Sequence, residues 1–391
     1  MTVSPNRITD PPPTSAGTFL GMTEPLHRDL DWLKARMAEV ETPETTAALD
    51  DLRKLVGAPD PGRPPVLDSL STEAIGRLLT HLAIGFHLRN KAEQHHIVRV
   101  NRRRELEATP ETPRAESIDE ACRTLATRGL GAADVEAILG RLDIEPTLTA
   151  HPTEARRRSV IRKQARIGQL LAILEPPERT PAEIEAAASE ARRLLGLLFA
   201  TDEIRTRRLD VSDEVRTGVH HLSTTIWDAV PQIHRDVRRA ARECWGVDLD
   251  APGFLRYRSW IGGDRDGNPR VTAAFTRETL EAMRQAAVDG HLRDLDALEN
   301  ELSLSDRRVP VLPELEAAVE ADGDLVPLDP ASIRHLDHEP IRRRVHQLRA
   351  RLRTGSIGGS ELAEAIDLIR RAVRFAGLPE VADRGRPNLS K

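Results

Sequence analysis

The feature that most restricts the fold is the spacing of apolar residues, which recur at intervals of three and four through most of the 391 positions and lose that rhythm in only two places. Leu30, Leu33, Met37 and Val40 give the first amphipathic stripe, and the pattern continues on a longer scale from Arg77 to Arg104. Helices are also predicted from Glu116, Ala132, Arg157, Pro181, Ser212, Arg277, Glu339 and Ser360 onward. Strands draw on β-branched and aromatic residues, and only 11 aromatic side chains are present: six Phe, four Trp and one Tyr. A β-rich fold is thereby excluded, and the expected class is mainly α.

Charge and thiol usage narrow the setting. The net charge of -5 gives no electrostatic footprint for a nucleic acid partner. The longest apolar run, near Leu194 to Ala200, is far too short to cross a bilayer. Only five of the 57 basic residues are lysine, a bias that GC-rich coding explains, although arginine is also the better fork for carboxylate and phosphate. Cys122 and Cys244 stand alone without CxxC spacing, which argues for a reducing compartment rather than a disulfide framework. The first residues are polar and carry Pro11, Pro12 and Pro13, with no apolar signal region. A disordered leader over residues 1–22 and a cytoplasmic address are the expectations.

The two breaks in the helical rhythm carry the chemistry. The first runs from Ile144 to Ala150 and continues into His151, Pro152 and Thr153; the second runs from Phe254 to Ile261 and continues into a loop from Gly262 to Pro269. Each is a strand-like run, then a polar loop, then a helix, the repeating unit of barrels whose active sites sit at the C-terminal ends of their strands. The resulting division is a leader (1–22), a helical region (23–142), a central stretch with two strands and two loops (143–272), and a helical region ending in a polar tail (273–391).

His151 is the candidate acid–base group, because imidazole exchanges a proton near neutral pH. Thr153 is a good N-cap, and a helix start beside His151 would favour its neutral form and attract an anion. Arg157 and Arg158 follow, and Arg158, Arg162 and Arg166 line one helix face, where their repulsion calls for an acidic or anionic counterpart. Judged alone, the histidine also fits a structural or solvated role, and the arginines an ordinary surface. The second loop is denser: Asp264, Arg265, Asp266 and Asn268 crowd beside Gly262, Gly263 and Gly267. A tight turn held by Asp–Arg pairs is the plain alternative. An EF-hand reading fails, since Pro269 and Phe275 stand where that loop needs glycine and glutamate. Glu93 and His96 make half of a di-iron motif whose second copy is broken by Pro25, and Gly355 to Gly359 lacks the Lys-Ser/Thr of a P-loop.

Taken together, the segments Leu148-Thr149-Ala150-His151-Pro152-Thr153-Glu154 and Ser259-Trp260-Ile261-Gly262-Gly263-Asp264-Arg265-Asp266-Gly267-Asn268-Pro269 resemble two signatures of the phosphoenolpyruvate carboxylase family. Ala92 to His96 and Thr201-Asp202-Glu203-Ile204-Arg205 agree with it. The resemblance implies a helix-rich (β/α)8-type barrel and a reaction joining bicarbonate to phosphoenolpyruvate, with Mg²⁺ or Mn²⁺, to give oxaloacetate and phosphate. It makes His151 the catalytic residue that accepts the carboxyphosphate proton. Arg265, Asp264, Asp266, Asn268, Arg157 and Arg158 become the substrate-binding set, with Arg265 the foremost anion contact.

Family members are much longer, and only about two barrel strands are legible here. The family's acidic metal ligands, catalytic lysine and glycine-rich loop would lie later in its chain, so no metal ligand is assigned. The expectation is therefore the N-terminal portion of a truncated or split enzyme, incompetent alone, with a complementing C-terminal polypeptide or a homo-oligomer as its partner. The alternative is a non-catalytic helical paralogue acting as a binding or regulatory subunit.

Overall fold

A computed structural model describes residues 23–55, 70–149, 157–174, 178–203, 210–247, 249, 253–323, 325–326 and 335–384. The expected leader lies outside them. In chain order the helices are α1 (Thr23–Ala38), α2 (Pro43–Leu55), α3 (Thr72–Glu107), α4 (Ile118–Thr127), α5 (Ala132–Leu139), α6 (Arg158–Leu174), α7 (Pro181–Phe199), α8 (Val211–His221), α9 (Trp227–Trp245), α10 (Ala273–Glu301), α11 (Pro313–Ala321), α12 (Pro340–Thr354), α13 (Gly359–Phe375) and α14 (Pro379–Arg384). Two short strands, β1 (Thr147–Leu148) and β2 (Arg258–Ser259), make the sheet found among the described residues. The mainly helical class holds.

The chain divides into two compact units, each drawing on two stretches of sequence. The first contains residues 1–108 and 153–208. Its core is a helical layer in which Ile84, Leu88 and Ala92 of α3 meet Leu33 and Met37 of α1, Ile167, Leu170 and Leu171 of α6, and Ala191, Leu194 and Leu195 of α7. Sequence chemistry fixes the ends of these helices. Ser71 caps α3 by accepting from the Ala74 N–H at 3.1 Å, and Thr180 and Glu183 form a reciprocal capping box ahead of Pro181. The counterpart that Arg166 needs is Glu190 of α7, which takes a two-pronged hydrogen bond at 2.9 and 3.0 Å.

One polar residue sits on the apolar face of α6. Gln164 follows Val160 by one turn and is only 2% exposed, yet its amide nitrogen has no hydrogen-bond partner among the described residues. A buried donor left without a partner costs about 1–3 kcal/mol. Gln164→Met keeps the length of the side chain and removes the polar group, so it is expected to raise stability by about 1 kcal/mol. A urea unfolding midpoint that falls instead would show that the amide is satisfied in solution.

The second unit contains residues 109–152 and 209–391. One cluster, built on Leu295, Leu298, Leu315, Val345, Leu348, Leu362, Ile366 and Ile369, knits α10 to α13. Within it Asp322 is buried between Arg344 and Arg351, at 2.5 and 3.1 Å, and Arg351 also reaches Glu361. Part of the arginine enrichment is thus structural. A second cluster wraps the strands: Val135, Leu139, Ala241, Phe254 and Leu255. The single helix expected from Ser212 to Cys244 instead contains a π-helical turn at Leu222–Ile226 joining α8 to α9. Pro231 lies just downstream inside α9. Its ring crowds the carbonyl four residues back and it lacks an N–H, and the wider turn beside it relieves the ladder.

Candidate functional site

The strands pair in parallel, with Thr147 opposite Arg258 and Leu148 opposite Ser259, and Ile144 bridges to Leu255 in the same sense. The ladder runs through Ile144 N–H to Phe254 O (2.8 Å), Arg256 N–H to Ile144 O (2.9 Å), Arg258 N–H to Pro146 O (3.0 Å) and Trp260 N–H to Leu148 O (3.0 Å). Parallel pairing has a direct consequence: the chain leaves both strands at the same end of the pair, so the segment after Leu148 and the loop after Ser259 start side by side. His151 and Thr153 lie outside the described residues.

The loop after β2 is shaped by its backbone. Gly263 N–H and Asp264 N–H both donate to the Trp260 carbonyl, at 3.0 and 2.9 Å, and Asn268 N–H donates to Arg265 O. Asn268 Oδ1 accepts from Arg270 N–H at 3.1 Å, and Thr272 caps α10 by accepting from Phe275 N–H. Gly262 has φ 74°, and a Cβ placed there would lie 2.4 Å from Thr279 Oγ1 of α10, so only glycine lets the chain turn this tightly against the helix. Asp266 and Gly267 also take positive φ, 28° and 73°.

The side chains of Asp264, Arg265, Asp266 and Asn268 are all exposed. Among the described residues Asp264, Arg265 and Asp266 make no side-chain hydrogen bond or ion pair. Among the described residues the loop is therefore held by backbone hydrogen bonds and not by Asp–Arg pairs.

One face of the strand pair adds a charge ladder that the sequence reading did not single out. Arg256 bonds Asp143 at 2.7 Å and approaches Glu145 at 3.3 Å, and Arg258 bonds Glu145 at 2.5 Å. The Asp143 hydrogen bond pushes the Arg256 guanidinium further above its ordinary range, so it stays charged. Alternation of charge along both runs was the signal available for these four residues.

Arg157 and Arg158 belong to the first unit and the loop residues to the second. Arg157 is the last non-helical residue before α6. Its N–H donates to Glu203 O at 3.1 Å and its guanidinium to Asp202 at 3.2 Å. The Glu203 carboxylate in turn holds the His87 imidazole of α3. The Thr201-Asp202-Glu203 segment thus clasps the chain six residues beyond His151, a link across more than forty positions that no local spacing reveals. Arg158 opens α6 and is half-buried.

The sequence profile of the phosphoenolpyruvate carboxylase family matches residues 58–369, most of the chain and all of both strands and loops. The chain belongs to the phosphoenolpyruvate carboxylase family. It is 42% identical over 298 residues to the phosphoenolpyruvate carboxylase of Rhodothermus marinus, covering 73% of this chain and 32% of that protein. It is 36% identical over 313 residues to the phosphoenolpyruvate carboxylase of Thermus sp. (strain 71), covering 79% and 33%. The enzyme of that name from Thermus thermophilus is 36% identical over 322 residues, covering 81% and 34%. The chain spans about a third of the length of the curated relatives it matches. Within the phosphoenolpyruvate carboxylase match, no three His, Cys, Asp or Glu side chains converge on a metal position among the described residues. Nor does any described helix have the length and apolarity to cross a membrane.

Proposed function

We propose that this chain supplies the N-terminal third of a phosphoenolpyruvate carboxylase, carrying His151 and the Gly262–Pro269 loop into a site that joins bicarbonate to phosphoenolpyruvate. The observation that supports this reading is the parallel pairing of β1 and β2, by which the chain leaves Leu148 and Ser259 at the same end of the pair. Two strands of two residues form no independent sheet, because parallel ladders are found with several strands and both faces covered. Further strands of a barrel would complete it, supplied by polypeptide beyond this third of the family's length.

In that site the loop residues have distinct tasks. The Arg265 guanidinium, exposed and without a side-chain partner among the described residues, offers a planar fork to a phosphate or carboxylate. Asp264 and Asp266 oppose overloading of the site with anions and, with Asn268, orient the ligand's hydrogen-bonding edges. Arg157, already held by Asp202, and Arg158 follow His151 closely in the sequence and are carried from the family resemblance as further anion contacts. His151 takes the proton from carboxyphosphate, leaving a carboxylate able to release carbon dioxide to the enolate. The divalent cation expected of the family, Mg²⁺ or Mn²⁺, finds no fitting donor set among the described residues, and no step here runs through it. A reducing, cytoplasmic setting accords with two free thiols.

The test is reconstitution. The purified 391-residue chain should form no oxaloacetate from phosphoenolpyruvate and bicarbonate, and mixing it with a polypeptide equivalent to the remaining two-thirds of the Rhodothermus relative should restore bicarbonate-dependent turnover. Activity of the chain alone would refute its incompetence. A stable but inactive complex would favour the binding or regulatory role.

A further inference from the structure

Cys122 and Cys244, which the proposed reaction does not use, lie on the two helices that meet behind the strand pair. The pairing of α4 with α9 is bracketed by two fixed contacts. At one end Asp119 takes both prongs of the Arg239 guanidinium, at 2.9 Å each. Toward the other, Trp245 Nε1–H donates to the Leu130 carbonyl at 2.9 Å. Leu130 lies just past the C-terminus of α4 and is tied back to it by its N–H to the Leu125 carbonyl at 3.2 Å, so the helices advance in the same direction, with Cys122 one turn beyond Asp119 on the side that meets α9. The stretch of α9 between Arg239 and Trp245 carries Ala240 and Ala241, 1% and 0% exposed, whose small side chains let the helices approach closely, and then Cys244. The same electrostatic neighbourhood contains both sulfurs. Cys244, Asp119 and Arg239 act on Cys122, and Arg123, Glu243 and Asp119 act on Cys244. Burial and the neighbouring thiol push Cys122 up to about 11, and burial also raises Cys244. Both are free thiols in this structure.

We propose that Cys122 and Cys244 are an oxidant-responsive pair whose disulfide staples α4 to α9. The oxidant is a low-molecular-weight disulfide such as glutathione disulfide. Cys244, the less buried thiol, loses its proton and attacks one glutathione sulfur, breaking that S–S bond and expelling a glutathione thiolate. The Cys122 thiolate then attacks Cys244 Sγ and expels the second glutathione. Two protein thiols lose two protons and two electrons, and one glutathione disulfide becomes two glutathiones. With both thiols held largely protonated the exchange is slow at neutral pH and accelerates as pH rises, so the pair responds to sustained oxidation rather than to brief exposure. The staple closes a long loop containing β1 and the His151 segment, and constrains the unfolded chain accordingly.

The experiment uses the whole chain, incubated with glutathione disulfide at about pH 9, then unfolded and treated with N-ethylmaleimide. The expected product has lost the mass of two hydrogens, takes up no maleimide, and carries a Cys122–Cys244 cross-link in its tryptic digest. It should also unfold at higher temperature than the reduced chain, a gain absent in Cys122→Ser. The Cys122→Ser chain should instead stop at a single glutathione adduct on Cys244. A wild-type product that keeps two alkylatable thiols, retains glutathione adducts, or links only between molecules would overturn the proposal.

Discussion

Gly262→Ala is expected to destabilise the second unit by about 2–5 kcal/mol and to open the loop that follows β2. Two costs combine. At φ 74° an L-residue with a Cβ is strained, and the added carbon would stand 2.4, 2.7 and 2.9 Å from three atoms of Thr279, a residue only 3% exposed. Thr279 has little room to retreat, because its hydroxyl is bonded to the Phe275 carbonyl one turn earlier in α10. Relief must come from the loop itself, through loss of the bond from Thr276 Oγ1 to the Gly262 carbonyl at 2.9 Å. Gly263→Ala is the internal control: its added Cβ would meet only the Trp260 carbonyl at 3.7 Å, an ordinary contact, and should shift stability by less than about 1 kcal/mol. Urea unfolding gives the energies, and tryptic cleavage at Arg265 and Arg270 reports the loop. Equal behaviour of the two variants would show that the conformation of Gly262 does not hold the loop in place.

The same loop shows what a sequence can and cannot disclose. Its composition, position after an apolar run and content of glycine were legible, because those depend on neighbours in the chain. That it starts beside the residues leaving β1 was not, since this follows from hydrogen bonds between Ile144–Leu148 and Phe254–Trp260, more than a hundred residues apart. The helices with a clear three- and four-residue stripe were found, although the one expected over Pro181–Arg207 ends at Phe199. Those over Pro43–Leu55, Pro313–Ala321 and Pro379–Arg384 were not, and each begins at a proline. Proline in the first turn starts a helix at no cost in hydrogen bonds, although in a sequence it reads as a break. The strand-like runs were read as seven or eight residues long, whereas the regular ladder covers two on each strand, because a run's apolar character says nothing of whether a partner lies alongside. The Arg157 clasp on Asp202 and Glu203 was invisible for a related reason: it joins two loops whose meeting is set by how α6 and α7 pack.

In the reconstituted enzyme His151→Asn is expected to lower kcat by about 10²- to 10⁴-fold while leaving the KM for phosphoenolpyruvate within a few-fold, the pattern of a lost proton acceptor rather than a lost binding contact. Asparagine keeps a polar side chain of similar reach and can donate a hydrogen bond, but its amide cannot take a proton near neutral pH. A protonated imidazole cannot accept the proton, so the reconstituted wild-type rate should fall as the medium is acidified, and that acid limb should vanish in the variant. Arg265→Gln separates this role from anion binding: it should raise the KM for phosphoenolpyruvate and leave the acid limb in place, because it removes a fork for the ligand and not the base. Arg157→Gln should act more weakly on KM, since Asp202 already occupies part of that guanidinium. A fully active His151→Asn enzyme would rule out the general-base assignment whatever the other variants do. A variant that instead loses binding with kcat intact would recast His151 as an anion contact, placing it with Arg265 rather than with the proton transfer.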